Sequence, residues 1–186
     1  MSRAAAERAG TQRLFVAVWP TPEAVAHLAA TLADPRPGGD ALRWQPPERW
    51  HVTLAFLGQA DPEAAVARLG RVRRPAVEPL HLAGAGAFGP VLWIGVQHGP
   101  WLTGLGRAVR SALHVEDGRN RPHLTIARAR GPAGVRVARG AVSAFADYRG
   151  PAWTPPGLTL VRSTTGPAPR YEVIAAWPFD APPVLA

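Results

Sequence analysis

The amino-acid sequence predicts an α+β domain built from two similar halves, and three observations support this prediction. Short apolar segments bounded by Gly and Pro alternate with segments whose apolar residues recur at helical spacing. Each half contains one strand-like segment with the pattern His-x-Thr-aliphatic, at residues 51–54 and 123–126. The predicted order around each of these segments is also the same: a strand and a helix, then the His-x-Thr strand and another helix. We therefore expect the two motifs to be related by a pseudo-twofold axis.

The chain has 186 residues, which suits one domain or two small lobes that share a core. We expect residues 1–12, which are small, polar and charged, to be a disordered N-terminal segment, and residues 13–186 to form a single bilobal domain. Apolar residues nowhere run together for the roughly eighteen positions that a membrane span needs, and no signal peptide is apparent. The sequence contains no cysteine, which excludes disulfides and thiolate chemistry. These features agree with a cytoplasmic protein that does not associate with a membrane. We expect a monomer, although these features do not determine the oligomeric state.

The first half is predicted to begin with a buried strand over residues 13–19, a continuous apolar run that ends before Pro20. Thr21, Pro22 and Glu23 then supply a helix N-cap, a first-turn proline and an acidic first turn, which predict a helix to residue 32. The rest of this half is predicted as a loop at 34–40, a strand at 42–44, a turn at Pro46-Pro47, and the first motif strand at 50–57, ended by Gly58.

The second half is introduced by a repeat of the same helix-start chemistry. Asp61, Pro62 and Glu63 predict a helix over residues 61–72. The remaining predicted elements are strands at 80–88 and 91–97, a helix at 101–113, the second motif strand at 122–128, a weaker helix at 135–145, and strands at 158–163 and 171–177 joined through Gly166-Pro167.

The paired motifs indicate the chemistry of the site. Six histidines and ten threonines in this chain would give only about 0.3 His-x-Thr pairs by chance. Because alternate side chains of a strand point to the same face, each segment offers one imidazole beside one hydroxyl. Two such strands across a cleft would converge on an oxygen-rich centre such as phosphate. The pattern predicts a phosphoesterase in which His51 and His123 are catalytic and Thr53 and Thr125 bind phosphate.

Two further residues occupy the same offset, five positions after each histidine. Strict strand alternation places Arg128 on the face opposite His123, but near the strand end, where its guanidinium can turn into the cleft and bind phosphate. Phe56 has the equivalent place after His51 and is a candidate for stacking on a base or ribose. A zinc site needs three or four ligands, and neither motif has a third ligand at suitable spacing. We expect no metal and no cofactor.

The charge of the chain is strongly positive. Its formal net charge is +8, and all 21 basic residues are arginine. An arginine-rich surface suits phosphate and would attract a polyanion. Codon bias in a GC-rich genome explains the same composition. The charge therefore does not show whether the partner is RNA or a nucleotide, or whether there is an anionic partner at all.

At these motifs the sequence resembles the two-histidine phosphoesterases, and among them the bacterial RNA 2′,3′-cyclic phosphodiesterases, historically called 2′-5′ RNA ligases. The resemblance spans residues 13–179. The similar segments are residues 13–19 (RLFVAVW), 50–58 (WHVTLAFLG), 91–96 (VLWIGV), 121–128 (RPHLTIAR) and 163–171 (STTGPAPRY).

The resemblance implies a bilobal, pseudo-symmetric α+β fold with antiparallel sheets lining a central cleft and helices outside. It implies metal-independent hydrolysis of RNA 2′,3′-cyclic phosphate ends to 2′-phosphomonoesters, with reverse 2′-5′ ligation as an accompanying activity. It also implies that His51 is the general acid and His123 the general base, an order that residue chemistry alone leaves open. Ala55, where the family often has a basic residue, and an extra Pro and Arg within residues 168–170 bear on substrate preference.

Two alternatives remain at this point. The same site would also serve a nucleotide phosphodiesterase or a 2′-5′ oligonucleotide phosphodiesterase. The second alternative is an RNA-binding module without turnover, against which the two intact motifs argue, because binding alone does not require both histidines. The expected partner is RNA with a 2′,3′-cyclic phosphate end, or a related nucleotide.

Overall fold

The structure is a computed structural model that describes residues 11–33, 36–116, 121–164 and 170–179. Within these residues the chain forms nine strands and four α-helices. The strands are β1 (Gln12–Val18), β2 (Leu42–Trp44), β3 (Val52–Ala60), β4 (Leu80–Phe88), β5 (Val91–Gln97), β6 (His123–Ala129), β7 (Arg149–Trp153), β8 (Gly157–Ser163) and β9 (Tyr171–Pro178). The helices are α1 (Pro22–Thr31), α2 (Pro62–Leu69), α3 (Pro100–Leu113) and α4 (Gly131–Gly140).

The strands form one antiparallel sheet in the order β7-β4-β5-β6-β3-β1-β8-β9, with β2 paired to β6. The two motif strands, β3 and β6, are neighbours at its centre. Outward from β3 lie β1, β8 and β9, which we call the first lobe; outward from β6 lie β5, β4 and β7, the second lobe. The lobes do not coincide with the two halves of the sequence, because the last two strands of the chain return to complete the first lobe.

The contact between the motif strands is short. In the described residues, β3 and β6 are joined through a single register pair, Val52 with Leu124. Both side chains are fully buried. Each is the middle residue of its His-x-Thr triplet, so the neighbouring histidines and threonines project from the opposite face of the sheet.

The helices cover the face of the sheet that carries the main core. α3 packs against β3, α4 against β6, and α1 reaches the edge strand β7. The core cluster includes Leu28, Val52, Leu105, Leu124 and Ala138, from three helices and both motif strands. On the opposite face the buried cluster is small, which leaves this face open as a cleft.

The predicted helix starts are confirmed by their caps. The Thr21 hydroxyl accepts a hydrogen bond from the Ala24 N–H at 3.5 Å, and the Asp61 carboxylate accepts one from the Glu63 N–H at 2.9 Å. A side-chain acceptor at the N-cap satisfies one of the free N–H groups in the first turn. The helix predicted from residue 135 begins earlier, at Gly131, and continues as a 3₁₀ turn over Ala141–Phe145.

One predicted strand end was wrong, and one strand was not predicted. Gly58 does not end β3: the strand continues to Ala60, and Gly58 adopts a φ of +65° where the register with β1 shifts. Such a bulge bends a strand and favours glycine, which tolerates positive φ. β7 was not predicted, because its sequence contains Gly150 and Pro151. Pro151 is tolerated there because β7 is an edge strand of the sheet.

Several predictions lie outside the described residues: the N-terminal segment except Thr11 and Gln12, the start of the loop at 34–40, the turn at 166–167, and two of the three positions at 168–170. Gln12 itself begins β1. In the described part of the chain, no helix is both long enough and apolar enough to span a membrane.

Candidate active site

The structure brings all six predicted site residues into one cleft. The cleft has a volume of about 380 Å³ and lies on the open face of the sheet, across the junction between β3 and β6. Both walls contribute a half-buried histidine and a half-buried threonine. The predicted residues lining it are His51, Thr53 and Phe56 from the first lobe, and His123, Thr125 and Arg128 from the second.

The two imidazoles are oriented by the same contact. Nδ1 of His51 lies 2.7 Å from the carbonyl oxygen of Arg49, and Nδ1 of His123 lies 2.7 Å from the carbonyl oxygen of Arg121. Because a carbonyl only accepts hydrogen bonds, each Nδ1 carries a hydrogen and donates it. A neutral imidazole held in this way presents Nε2 as its proton acceptor. Both rings therefore offer the same nitrogen for proton transfer.

Phe56 and Arg128, each five positions after a motif histidine, point into the cleft because of two matching β-bulges. In β3, Ala17 pairs with Thr53 and Val16 with Ala55, so Leu54 is the extra residue of the bulge. An extra residue reverses the alternation of side chains beyond it. Phe56 therefore points to the cleft face, and 62% of its surface is exposed.

The bulge in β6 has the same position relative to its motif. Trp93 pairs with Thr125 and Leu92 with Ala127, which makes Ile126 the extra residue. Arg128 consequently lies on the same face as His123 and Thr125. Strict alternation of side chains therefore predicts the wrong face for Arg128, because Arg128 reaches the cleft through a bulge and not by turning at the strand end.

Aromatic side chains enclose the histidine of the first lobe. The His51 ring stacks on Phe15 with 4.7 Å between ring centroids, and Trp19 and Tyr171 lie 5.2 and 5.4 Å away. These three rings come from β1, the turn after it, and β9. Aromatic packing on several sides restricts the imidazole to one orientation and removes water from it.

The histidine of the second lobe has fewer aromatic neighbours. Phe88 meets the His123 ring edge to face at 5.1 Å, and Trp93 lies at 5.9 Å. The guanidinium of Arg121 lies 5.5 Å from the centre of the Trp93 ring. Phe88 is 49% exposed and lines the cleft, so each wall presents one exposed aromatic ring, Phe56 on one side and Phe88 on the other.

The electrostatics of the cleft favour an anion. Arg13, Arg49 and Arg128 line it, and none of its described lining residues is acidic. Burial lowers the pKa of His51 to about 4, against the opposing hydrogen bond to Arg49, and the charges of His123 and Arg128 lower it further. The pKa of His123 is also lowered, by burial and then by Arg128. Without a ligand, both imidazoles are therefore neutral near pH 7.

Sequence reasoning missed the residues that position the imidazoles. Arg49 and Arg121 both stand two positions before a motif histidine, so the repeated pattern was Arg-x-His-x-Thr rather than His-x-Thr. The contacts are made by backbone carbonyls, which any residue at these positions would provide, so the shared offset of two residues and not the arginine side chain sets them. No local pattern marks Phe15, Trp93 or Tyr171 as neighbours of the histidines, because they come from other strands.

The sequence predicts no metal site. Of the side chains that commonly bind metals, the described lining of the cleft contains His51 and His123. Among the described residues there is no group of three or more His, Cys, Asp or Glu side chains arranged to hold a metal ion.

Comparison with known proteins identifies the family. A match to the 2′-5′ RNA ligase superfamily covers residues 17–167, which include both motifs and most of the sheet. The chain belongs to this superfamily. The family confirms the resemblance to the two-histidine phosphoesterases that the motifs indicated, and the α+β fold with an antiparallel sheet agrees with the architecture that the resemblance implied.

Individual members of known name or structure are similar to this chain in sequence or in fold. An RNA 2′,3′-cyclic phosphodiesterase of Geobacillus stearothermophilus is 30% identical, over 91% of the present chain and 58% of the relative's own length. The crystal structure of Escherichia coli LigT complexed with NADP⁺ has a TM-score of 0.73 and 26% identity, with 91% of this chain and 98% of LigT aligned. The crystal structure of TT0787 of Thermus thermophilus has a TM-score of 0.68 and 25% identity, with 90% and 97% aligned.

Proposed function

We propose that this member of the 2′-5′ RNA ligase superfamily hydrolyses RNA 2′,3′-cyclic phosphate ends to 2′-phosphomonoesters. The observation that carries the proposal is the matched pair of imidazoles, each held through Nδ1 so that Nε2 is available, on both sides of the Val52–Leu124 junction. A cyclic phosphodiester needs two proton transfers at opposite sides of phosphorus. The name of the Geobacillus relative supports the same substrate.

The reaction consists of one substitution at phosphorus. A water oxygen attacks the phosphorus atom and forms a new P–O bond, and the general base takes a proton from that water. The bond from phosphorus to the ribose 3′ oxygen breaks, and the general acid protonates the departing oxygen. The product carries the phosphate on the 2′ oxygen. We assign the acid to His51 and the base to His123, following the family resemblance.

The remaining polar groups of the cleft are proposed to hold the phosphate. Thr53 and Thr125 each lie on the cleft face beside a histidine, where their hydroxyls can donate hydrogen bonds to non-bridging oxygens. Arg128 adds a fixed positive charge in the same cleft. Donors that are already oriented stabilise the charge that builds on the phosphoryl oxygens in the transition state.

The substrate itself supplies the protonation state that the mechanism needs. Burial keeps both histidines neutral in the free protein, with the pKa of His51 at about 4. A general acid must be protonated before it acts, and a bound phosphodiester is an anion that raises the pKa of an adjacent imidazole. Binding of the cyclic phosphate therefore promotes the uptake of one proton by the pair.

Nucleoside binding is proposed to involve the exposed rings of the cleft. Phe56 is exposed and lies in the cleft lining, where a base or ribose can stack on it. That E. coli LigT has been crystallised with NADP⁺, a nucleotide, supports nucleotide binding on this fold. If the 5′ hydroxyl of a second RNA takes the place of water, it forms the new P–O bond while the bond to the 3′ oxygen breaks, and the product is a 2′-5′ linkage. We therefore expect 2′-5′ ligation as an accompanying activity of the same two histidines.

The deciding experiment uses a short RNA that ends in a 2′,3′-cyclic phosphate. After incubation, the product is compared with authentic 2′-phosphate and 3′-phosphate standards. A 2′-phosphate supports the proposal; a 3′-phosphate contradicts the assigned leaving group. Cleavage of an internal 2′-5′ linkage that is faster than hydrolysis of the cyclic phosphate would favour the alternative phosphodiesterase, and tight RNA binding without product would favour the binding module. Full activity after exhaustive chelation is expected for the metal-independent mechanism.

A further inference from the structure

We propose that Arg43 and Arg130 form, with Arg128, a phosphate-binding track that holds the RNA backbone upstream of the cyclic end. The inference rests on the proposed function and specifies its substrate class. It predicts that an oligonucleotide end is a better substrate than a nucleoside 2′,3′-cyclic phosphate.

The track is a second depression in the surface that adjoins the candidate active site. It is lined by Arg43, Pro90, Arg128, Ala129 and Arg130. Arg128 also lines the main cleft. A chain that has its terminal phosphate between the two histidines can therefore pass along Arg128 into this depression without leaving a positively charged surface.

Strand register places the three guanidiniums on one face. Arg43 of β2 is the direct register partner of Arg128 in β6, so their side chains project to the same side. Arg130 follows Arg128 by two residues, which spans about 6.6 Å in an extended chain and returns to the same side. The Arg130 N–H donates to the Ala41 carbonyl at 2.8 Å, which anchors this residue beside β2.

The arrangement has an unbalanced charge. Arg43, Arg128 and Arg130 are all exposed, and no ion pair between them and an acidic side chain is found in the described part of the chain. Like charges directly opposite each other on a sheet are destabilising. An anion bound between the guanidiniums would remove this repulsion.

The next element adds to the positive potential. α4 begins immediately after Arg130, with no side-chain cap and no acidic residue in its first turn. The N-terminus of a helix carries a partial positive charge. The helix end and the three arginines therefore favour the same kind of ligand.

The number of phosphates in the substrate identifies that ligand as a phosphodiester of the RNA backbone. A nucleoside 2′,3′-cyclic phosphate has a single phosphate, which the two histidines, the threonines and Arg128 already bind. Further arginines outside the cleft have an anion to bind only when the substrate continues into another nucleotide. Guanidinium groups suit this role, because they present paired donors to phosphate oxygens.

The experiment compares two substrates on two charge-matched double variants. R43Q/R130Q removes the track, and R68Q/R107Q removes two exposed arginines from α2 and α3, on the helix-covered side of the sheet. The substrates are adenosine 2′,3′-cyclic phosphate and a hexaribonucleotide with a 2′,3′-cyclic phosphate end. Turnover is measured over a series of salt concentrations, and thermal melting checks that each variant is folded.

We expect R43Q/R130Q to lower kcat/KM for the hexanucleotide by about tenfold and to leave the mononucleotide within about twofold of wild type. The salt dependence for the hexanucleotide should become shallower, by about 1.4 in the log–log slope for two lost phosphate contacts on a single strand. R68Q/R107Q should change neither substrate. Equal losses for both substrates, or equal losses for both variants, would overturn the proposal.

A binding measurement separates this inference from the proposed function. If the wild-type protein hydrolyses neither substrate, the proposed function fails, whereas the track is still tested by fluorescence anisotropy with a labelled hexaribonucleotide 3′-phosphate. Weaker binding by R43Q/R130Q than by R68Q/R107Q supports the track in that case. Equal binding by the two variants rejects it.

Discussion

Val52 of β3 and Leu124 of β6 are register partners at the centre of the sheet, and each is the middle residue of its His-x-Thr triplet. Extending the antiparallel register by one residue in each direction sets each histidine beside the threonine of the opposite motif. The site is thus built by one pair of buried aliphatic side chains that orients four polar ones. Four strands lie on each side of this junction, β6, β5, β4 and β7 on one side and β3, β1, β8 and β9 on the other. The pseudo-twofold axis expected from the sequence stays a prediction.

Replacing either motif histidine is expected to remove most of the turnover without unfolding the protein. H51Q and H123Q should each lower kcat for a 2′,3′-cyclic phosphate substrate by about 10² to 10⁴-fold, the usual contribution of a general acid or base. H81Q is the matched control, since His81 also lies on a strand with Nδ1 near a carbonyl, that of Gly150 at 3.1 Å. Near wild-type turnover in either motif variant would refute the catalytic assignment.

The pH dependence of kcat/KM should have its maximum below 6.5. This parameter reports the free protein, in which one imidazole must be protonated and the other neutral. Because burial lowers the pKa of His51 to about 4 and lowers that of His123 as well, the singly protonated pair is most populated on the acidic side of 6.5. The maximum of kcat should lie at higher pH, because the bound phosphate raises both pKa values. A kcat/KM maximum on the alkaline side contradicts this prediction.

Removing the charge of Arg128 should alter both the rate and the pH profile. R128Q is expected to lower kcat by about 10²-fold, through lost transition-state stabilisation. It should also move the kcat/KM profile to higher pH, because the positive charge of Arg128 lowers the pKa of both histidines. R107Q, on α3, is the control for net charge. A slower enzyme with an unshifted profile would indicate a purely structural role for Arg128.

The packing of Trp93 against Gly86 should control the position of His123. A Cβ at position 86 would overlap the Trp93 indole, whose ring lies 5.9 Å from that of His123. G86A is therefore expected to displace the indole, lower the melting temperature and reduce kcat. G104A, in open space on a helix, is the control and should raise stability by about 1 kcal/mol. An unchanged kcat in G86A would show that the position of Trp93 does not affect catalysis by His123.

Truncation of Phe56 should weaken substrate binding more than chemistry. F56A is expected to raise KM for a nucleoside 2′,3′-cyclic phosphate by about tenfold, since stacking of one base contributes roughly 1–3 kcal/mol. The effect should be insensitive to salt, unlike that of an arginine contact. V173A removes an exposed apolar side chain of β9 outside the cleft lining and should leave KM unchanged. A loss confined to kcat would argue against stacking.

Local chemistry explains why most elements were predictable from the sequence. Thr21-Pro22 and Asp61-Pro62 start helices through contacts within one turn, and the Gly-Pro between β4 and β5 separates two strands whose predicted limits agree with the structure. β7 was missed because Gly and Pro disfavour a strand unless an edge position is available. Edge positions depend on the order of the sheet, and no segment of sequence contains that order.

The sequence by itself determined which six residues are the candidates to react with or bind phosphate and nucleoside, because imidazole and hydroxyl at strand spacing share a face in any sheet, but it did not reveal the residues that position the imidazoles. The tertiary structure decided how the two motifs meet. Pairing of Val52 with Leu124 brings distant segments together, and β8 and β9 return to the first lobe, which supplies Tyr171 to the surroundings of His51. The tertiary structure also decided on which face of the sheet the side chains of Phe56 and Arg128 lie. A bulge arises from the mismatch between two paired strands, and one strand alone cannot reveal it.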